Sequence, residues 1–346
     1  MLNLGLKSYK DKNINRACEV KTAKILIFFL LSLCLAGPAA AQKERYTISA
    51  VNGEFVVEEE TLQREVSFLA DSLEGGRALG RRGHFEAGAW ISRHFETFGL
   101  QPLNGVWAHS FSIGEERGRN LLGLFPGKSD KYVIVLAHYD CIGGLAGRLY
   151  PGADSNASGT VAMLTLARML YRMNYLGKEY TNNVIFAAVD AKERNSAGSE
   201  DLMERIREGR LVNPVTGTAI TRDKILCVAN LDIIGSTLSP LASGRKDYLL
   251  AISDGRWNDT VRSLNRKDGL GLDLAFDYYG SRDFTNIFYR RIGDHVPFLK
   301  AGIPCILFTS GITMRTNKET DDAASLDYAV LRQRIILAYY WLVRQI

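Results

Sequence analysis

The chain has 346 residues, 46% of them hydrophobic and 23% charged. Those are ordinary globular values, and they exclude a disordered, collagenous or disulfide-dense chain. The net charge of +5 invites an acidic partner until it is mapped. Lys7, Lys10, Lys12, Arg16, Lys21 and Lys24 face only Asp11 and Glu19 in the first 24 residues, which leaves the rest with +1. A nearly neutral body gives no electrostatic case for nucleic acid.

The basic start runs into Ile25–Ala36, twelve apolar residues, and then into Gly37-Pro38 and Ala39-Ala40-Ala41. A charged start, a short apolar run and an A-x-A site predict a secretory leader over residues 1–41, cleaved after Ala41. Twelve residues fall short of the ~20 that cross a bilayer. The expectation is an exported protein, periplasmic or extracellular, with no membrane span after cleavage. A lipoprotein reading through Cys34 is disfavoured, because Leu33 stands where a small residue is expected. Cys18 and Cys34 leave with the leader. Cys141, Cys227 and Cys305 remain, an odd number that implies no complete disulfide framework. Cys227 and Cys305 lie in apolar runs and are expected as buried thiols; the role of Cys141 is left open.

Residues 42–346 contain no linker, repeat or low-complexity tract, so one domain is the simplest reading. In chain order, Glu58–Leu73 and His84–Phe98 show helix-period apolar spacing, with Gly99 as a stop. Lys131–His138 is the first of four short, nearly continuous apolar runs, the form of strands buried on both faces. Ser158–Met173 is helical, Asn183–Asp190 a strand, Gly198–Glu208 helical and Ile225–Asp232 a strand. Trp257–Lys267 is helical, Pro304–Thr309 a strand, and a last helix lies near Ser325–Arg344. Alternation of this kind predicts an α/β fold: a mainly parallel, mixed central sheet with helices on both faces.

Ligands of open α/β sheets bind beyond the carboxyl ends of the strands. Three of the predicted strands end in acids or a metal-ligand type: "LAHYD" with His138 and Asp140, "AAVDAKE" with Asp190 and Glu193, "ANLD" with Asp232. The loop "PGADSNASG" sets Asp154 just before the helix at Ser158. A single acid at a strand end is commonly a helix cap or a solvated turn. Several converging on one sheet edge make a site.

With "AHYD", "GADSNASG", "DAKE…GS", "NLDIIG" and "GDHVPFLKAGIP" in order, the chain resembles the secreted zinc aminopeptidases and, more distantly, glutaminyl cyclases. The resemblance spans nearly all of the mature chain, from Ser72 to Tyr328. It implies a zinc-exopeptidase fold and two zinc ions bridged by Asp154. One zinc would also take His138 and Asp232. The other would take Glu193 and a histidine of a late "HTxxDT"-like motif, and Asp140 would orient His138. A carboxylate that binds no metal then takes a proton from the metal-bound water.

Two positions depart from that pattern. "DAKERNSAGS" puts Lys192 where the general-base glutamate belongs, and an ammonium has no lone pair to accept a proton. "RTNKET" puts Arg315 at the metal histidine and Glu319 at its aspartate, and the chain has no histidine after His295. His295 itself, in "GDHVPF", is expected as a structural or pocket residue, and an Arg315–Glu193 pair is expected in the vacated position. Asp154, Glu193 and Asp232 then face Lys192 and Arg315, which favours zero or one zinc ion over two. Cys141 lies near this chemistry with no cysteine-protease signature around it. His84, His94 and His109 are expected at the surface or in packing.

The expected function is a secreted zinc aminopeptidase-like protein, weak or inactive, and so a binder of a peptide or another small ligand. The alternative is an active aminopeptidase with an atypical one-metal site. A glutaminyl cyclase is less favoured, because that chemistry uses the late histidine this chain lacks.

Overall fold

The computed structural model describes residues 57–346 apart from 72, 238–244, 268 and 279. The expected leader, residues 1–41, lies outside the described residues. Among them, in chain order, the strands are β1 (Gln101–Pro102), β2 (Ala108–Ile113), β3 (Glu116–Phe125) and β4 (Tyr132–His138). A hairpin of β5 (Gly143–Leu145) and β6 (Arg148–Tyr150) follows, then β7 (Asn183–Val189), β8 (Ile225–Leu231), β9 (Tyr248–Ile252), β10 (Asp273–Ala275) and β11 (Cys305–Thr309). The helices are α1 (Glu59–Asp71), α2 (Arg82–Thr97), α3 (Ser158–Tyr175) and α4 (Ala197–Arg207). The later ones are α5 (Asn258–Lys267), α6 (Arg282–Arg290), α7 (Val296–Lys300) and α8 (Tyr328–Val343).

Nine strands form one sheet in the order β1-β3-β7-β4-β8-β11-β9-β10, with β2 beside β3. Its centre is parallel, since β4 pairs with β7 and β8, and β8 with β11. Antiparallel pairing begins at β3 on one side and β9 on the other. The fold is α/β with a mixed, mainly parallel sheet.

Every residue of β4 and β7 is buried, which is why their sequences run apolar without alternation. Val133, Val135 and Ala137 face one core with Val184, Phe186 and Ala188, which α1, α2, α3 and α8 also enter. Ile134, Leu136, Ile185 and Ala187 face the other, with Leu202, Met203 and Ile206 of α4 and Phe298 of α7. Each fully buried valine, leucine, isoleucine, methionine or phenylalanine contributes about 1.5–3 kcal/mol relative to exposure.

The chain leaves β4, returns as β7 on one side of it, then crosses to β8 on the other. A crevice therefore opens over the carboxyl end of β4, the switch point of the sheet. His138 ends β4, Asp190 follows β7 and Asp232 follows β8. The topology brings these residues to one sheet edge.

Candidate functional site

The floor of the crevice is built by buried polar groups that hold loops. Arg77 is fully buried and donates to four carbonyls: Leu69 at 2.6 Å, Tyr139 and Gly152 at 2.8 Å, and Pro151 at 3.0 Å. It joins the end of α1 to the loops on both sides of the β5–β6 hairpin. Gly152, at φ +64, turns the chain into Asp154, and a Cβ there would lie 2.4 Å from the Ser155 carbonyl. Only glycine fits that turn. Asp321 then clamps the next residues, accepting the Asp154 and Ser155 amides at 2.8 and 3.1 Å.

Asp190 faces the same edge, but it is a brace. Its carboxylate accepts from His84 Nε2 at 2.9 Å, Ala191 N at 2.7 Å and Arg119 N at 2.8 Å. The His84 ring lies flat against Tyr139, 5.0 Å between centroids. This buried pair fixes the turn after β7, where Ala191, Asn195 and Ser196 all hold left-handed backbone. Such conformations cost about 1–3 kcal/mol each and persist only where the surroundings impose them. They aim the short turn Lys192–Arg194 at the crevice.

Lys192 reaches into a cluster of acids. Its Nζ donates to Asp294 Oδ2 at 3.2 Å and lies 3.7 Å from Asp232 Oδ2. His138 Nε2 lies 3.3 Å from Asp232 Oδ1, and its Nδ1 donates to the Asp140 carbonyl at 3.1 Å, with Asp140 Oδ1 at 3.5 Å. Burial opposes charge on the His138 ring, but Asp140 and Asp232 outweigh it and push the ring up to about 10. Burial likewise opposes the Lys192 charge, and Asp294 and Asp232 hold the ammonium above its ordinary range. Asp232 answers in kind: despite burial, Lys192 and His138 hold it well below the usual carboxylate range. Two cations thus face three carboxylates.

The ligand atoms brought together are those of His138, Asp232 and Asp294, all within 4.8 Å of one another. Asp154, expected beside His138 and Asp232, is not in that group. Its Oδ1 accepts from Gly235 N at 2.7 Å and Ser158 Oγ at 3.0 Å, and its Oδ2 is buried with no partner. Burial, then the nearby Asp321, pushes its carboxyl up to about 7. Asp294 was not anticipated. The only signal was "GDHVPF", where attention falls on the histidine.

His295 does not line the pocket, contrary to one expectation. It is fully buried, donates Nε2–H to the Tyr289 carbonyl at 2.8 Å, and accepts at Nδ1 from Asn230 Nδ2 at 3.2 Å. With both nitrogens engaged it serves structure. Burial, with Lys192 nearby, lowers its pKa to about 4, below the unfolded value of 6.5. The unfolded chain then binds more protons between those values, so this group's stabilisation is present above pH 6.5 and lost as pH falls through 4. Urea unfolding of the parent and of His295→Asn at pH 7 and pH 4.5 should show the gap between them shrink at the lower pH. An unchanged gap would contradict the neutral, buried ring.

A cavity of about 140 Å³ opens over the cluster, lined by His138, Lys192, Glu193 and Asp232 and by an apolar wall of Tyr278, Phe288, Ile292 and Ile312. Arg315 is not part of this lining. Its guanidinium extends to the Ser325 carbonyl at 3.4 Å, and no Arg315–Glu193 ion pair occurs among the described residues. The pocket is lined instead by Asn317, two residues on, whose Oδ1 accepts from Ser155 Oγ at 3.1 Å. Asp321 follows Asn317 by the four residues that separate the histidine and aspartate of "HTxxDT". A register two residues later than the sequence match would put Asn317 at the histidine and Asp321 at the aspartate, while Glu319 pairs with Arg148 at the surface. Of the other histidines, His84 and His109 are buried and His94 half-buried.

The two-zinc centre implied by the resemblance does not fit these residues. Asp154 Oδ2 and Asp294 Oδ1 are buried acceptors without a hydrogen-bond partner, which a cation would satisfy. Yet an ammonium already sits beside Asp232 and Asp294, and the late segment brings Asn317, not an imidazole, into the pocket lining.

Three comparisons bear on this geometry. Leucine aminopeptidase 1 of Aspergillus niger is 24% identical over 229 residues, 64% of this chain and 54% of that protein. The matched segment thus spans about half of that relative's length. LapB from Legionella pneumophila shares the fold with a TM-score of 0.64 at 15% identity, over 86% of this chain and 74% of that one. BSAP, a zinc aminopeptidase from Bacillus subtilis, does so at 0.50 and 21%, over 68% and 52%. Of the three, BSAP is the one whose name carries a metal, zinc. Residues 120–341, which carry the parallel centre of the sheet and every member of the charged cluster, match peptidase family M28, and the chain belongs to that family.

Proposed function

We propose that the chain is an exported, aminopeptidase-like M28 protein with weak or absent hydrolysis, which holds a peptide end or another small ligand. The supporting observation is Lys192, an ammonium bonded to Asp294 at the position where a carboxylate base is needed. Activating water requires a group that can accept its proton, and loss of such a base forfeits a factor of about 10² to 10⁴. Lys192 cannot accept one. The pocket nonetheless suits a ligand with an amine beside an apolar group, since Glu193 faces the apolar wall of Tyr278, Phe288 and Ile292.

A second reading, an active peptidase with one metal at His138, Asp154 and Asp232, is favoured by the unpartnered Oδ2 of Asp154. It is disfavoured because Asp154 is not among the ligand atoms gathered within 4.8 Å around His138 and Asp232. Export rests on the leader; among the described residues no helix is long and apolar enough to cross a membrane.

Turnover of leucine p-nitroanilide, with and without added zinc, separates these readings. The parent should run at least about 100-fold below the ~10 s⁻¹ of a median enzyme. Calorimetry should detect short apolar peptides with free N-termini and lose the signal on N-acetylation. Zinc-dependent turnover at ordinary enzyme rates would falsify the proposal.

A further inference from the structure

We infer that the Lys192 ammonium is the resident cation of the site, standing where a metal ion would hold His138, Asp232 and Asp294 together. The inference rests on the weak-hydrolase reading and adds to it: the native site is complete without zinc.

Asp294 is fully buried, and its Oδ2 accepts from Lys192. A buried carboxylate is tolerated only with a cation or several donors, and its other oxygen has no partner at all. Lys192 therefore supplies the positive charge this acid requires. The ammonium is also close to Asp232, so a single cation serves two carboxylates from different loops. Its backbone is no floppy surface strand. It sits on a turn framed by left-handed Ala191 and Asn195 and anchored through Asp190.

The same three residues offer one imidazole nitrogen and two carboxylates within 4.8 Å. That is the donor chemistry of a three-ligand zinc site with an open position. A zinc ion there would meet the ammonium at close range, and like charges in a half-buried site repel strongly. Ammonium and metal are alternatives. The set also differs from the one the family resemblance implies, because Asp294 replaces Asp154.

The test uses the full chain as exported and a Lys192→Met variant, which keeps the side chain's length and removes its charge. After dialysis the native protein should retain fewer than about 0.1 zinc per chain, and neither chelator nor zinc should move its unfolding temperature. Lys192→Met should unfold at a lower temperature without zinc, bind one zinc at least about tenfold more tightly than the parent, and recover stability on binding. Adding Asp294→Asn to that variant should abolish the uptake. A native protein that keeps a zinc ion and is destabilised by chelation would overturn the inference. So would a folded Lys192→Met with no gain in zinc affinity. Should Lys192→Met fail to fold, the chelator response of the native protein decides by itself. Activity separates the two claims: a zinc-bound but inactive parent sinks only this inference, and a zinc-free, active parent sinks only the weak-hydrolase reading.

Discussion

Lys192→Glu combined with Asn317→His should bind two zinc ions and raise hydrolysis of leucine p-nitroanilide at least about 100-fold over the parent. The estimate takes the lower end of what a positioned base contributes. The second metal adds to it by clamping the substrate and stabilising the developing charge. Both changes are needed. Lys192→Glu alone would restore a proton acceptor beside a pocket still short of an imidazole, and Asn317→His alone would leave the new ring facing the ammonium. Residues acting as one unit respond together, so each single variant should stay within about tenfold of the parent. The position of the histidine is the sharper part of the test. Sequence matching nominates Arg315, but its guanidinium is turned toward Ser325, whereas Asn317 lines the pocket and touches Ser155. Lys192→Glu with Arg315→His should therefore gain little, both in zinc content and in kcat/KM. If that pair matches or exceeds the Asn317 pair, the register argued from Asp321 is wrong.

The contrast between 315 and 317 shows where the sequence stops being informative. The central strands were legible because burial on both faces forces unbroken apolar runs, and β4, β7, β8 and β11 coincide with them to within a residue at either end. The six expected helices form within three residues at either end; four carry an apolar face at helical spacing, whereas α3 and α8 are buried on nearly all sides. β9 has the same pattern as the central strands, five apolar residues that are all buried, and is passed over all the same; the other missed elements lack it. β3 opens with Glu-Arg-Gly-Arg before its apolar half, α6 mixes charged and aromatic residues, and α7 has only five residues. In the site, His138 and Asp232 are legible because strand ends fix them to one edge, and Lys192 through the register of "DAKERNSAGS" against the family motif. Asp294 arrives from a loop whose position depends on α6, α7 and a buried histidine, and within "GDHVPF" it is the histidine that looks like a ligand. Asn317 was missed for a related reason. Motif matching reads along the chain, while the clamp between Asp321 and the Asp154 amide is a contact across 167 residues.

Arg77→Met should be the most destabilising of the single changes considered, by about 3–5 kcal/mol. Arg77 is a fully buried guanidinium whose donors go to the carbonyls of Leu69, Tyr139, Pro151 and Gly152. Methionine fills much of the space but donates nothing, and each buried carbonyl left unpaired costs about 1–3 kcal/mol. Water entering the gap would satisfy some of them, which keeps the total below the simple sum. For a domain of ordinary stability, about 5–15 kcal/mol, this is a large share. At about 2–4 °C per kcal/mol the unfolding midpoint should fall by roughly 10 °C. The neighbouring exposed Arg81, changed to Met, should shift it by no more than ~1 °C. The effect should also reach the site. Two of the four bonds end on Pro151 and Gly152, just before Asp154, so loss of Arg77 frees the loop that Asp321 clamps from the other side. Hydrogen exchange at the Asp154 and Ser155 amides should accelerate in Arg77→Met well before global unfolding, and remain at parent rates in Arg81→Met. Equal protection of those amides in Arg77→Met and the parent would show that Asp321 holds the loop without help, and that Arg77 only stabilises the fold.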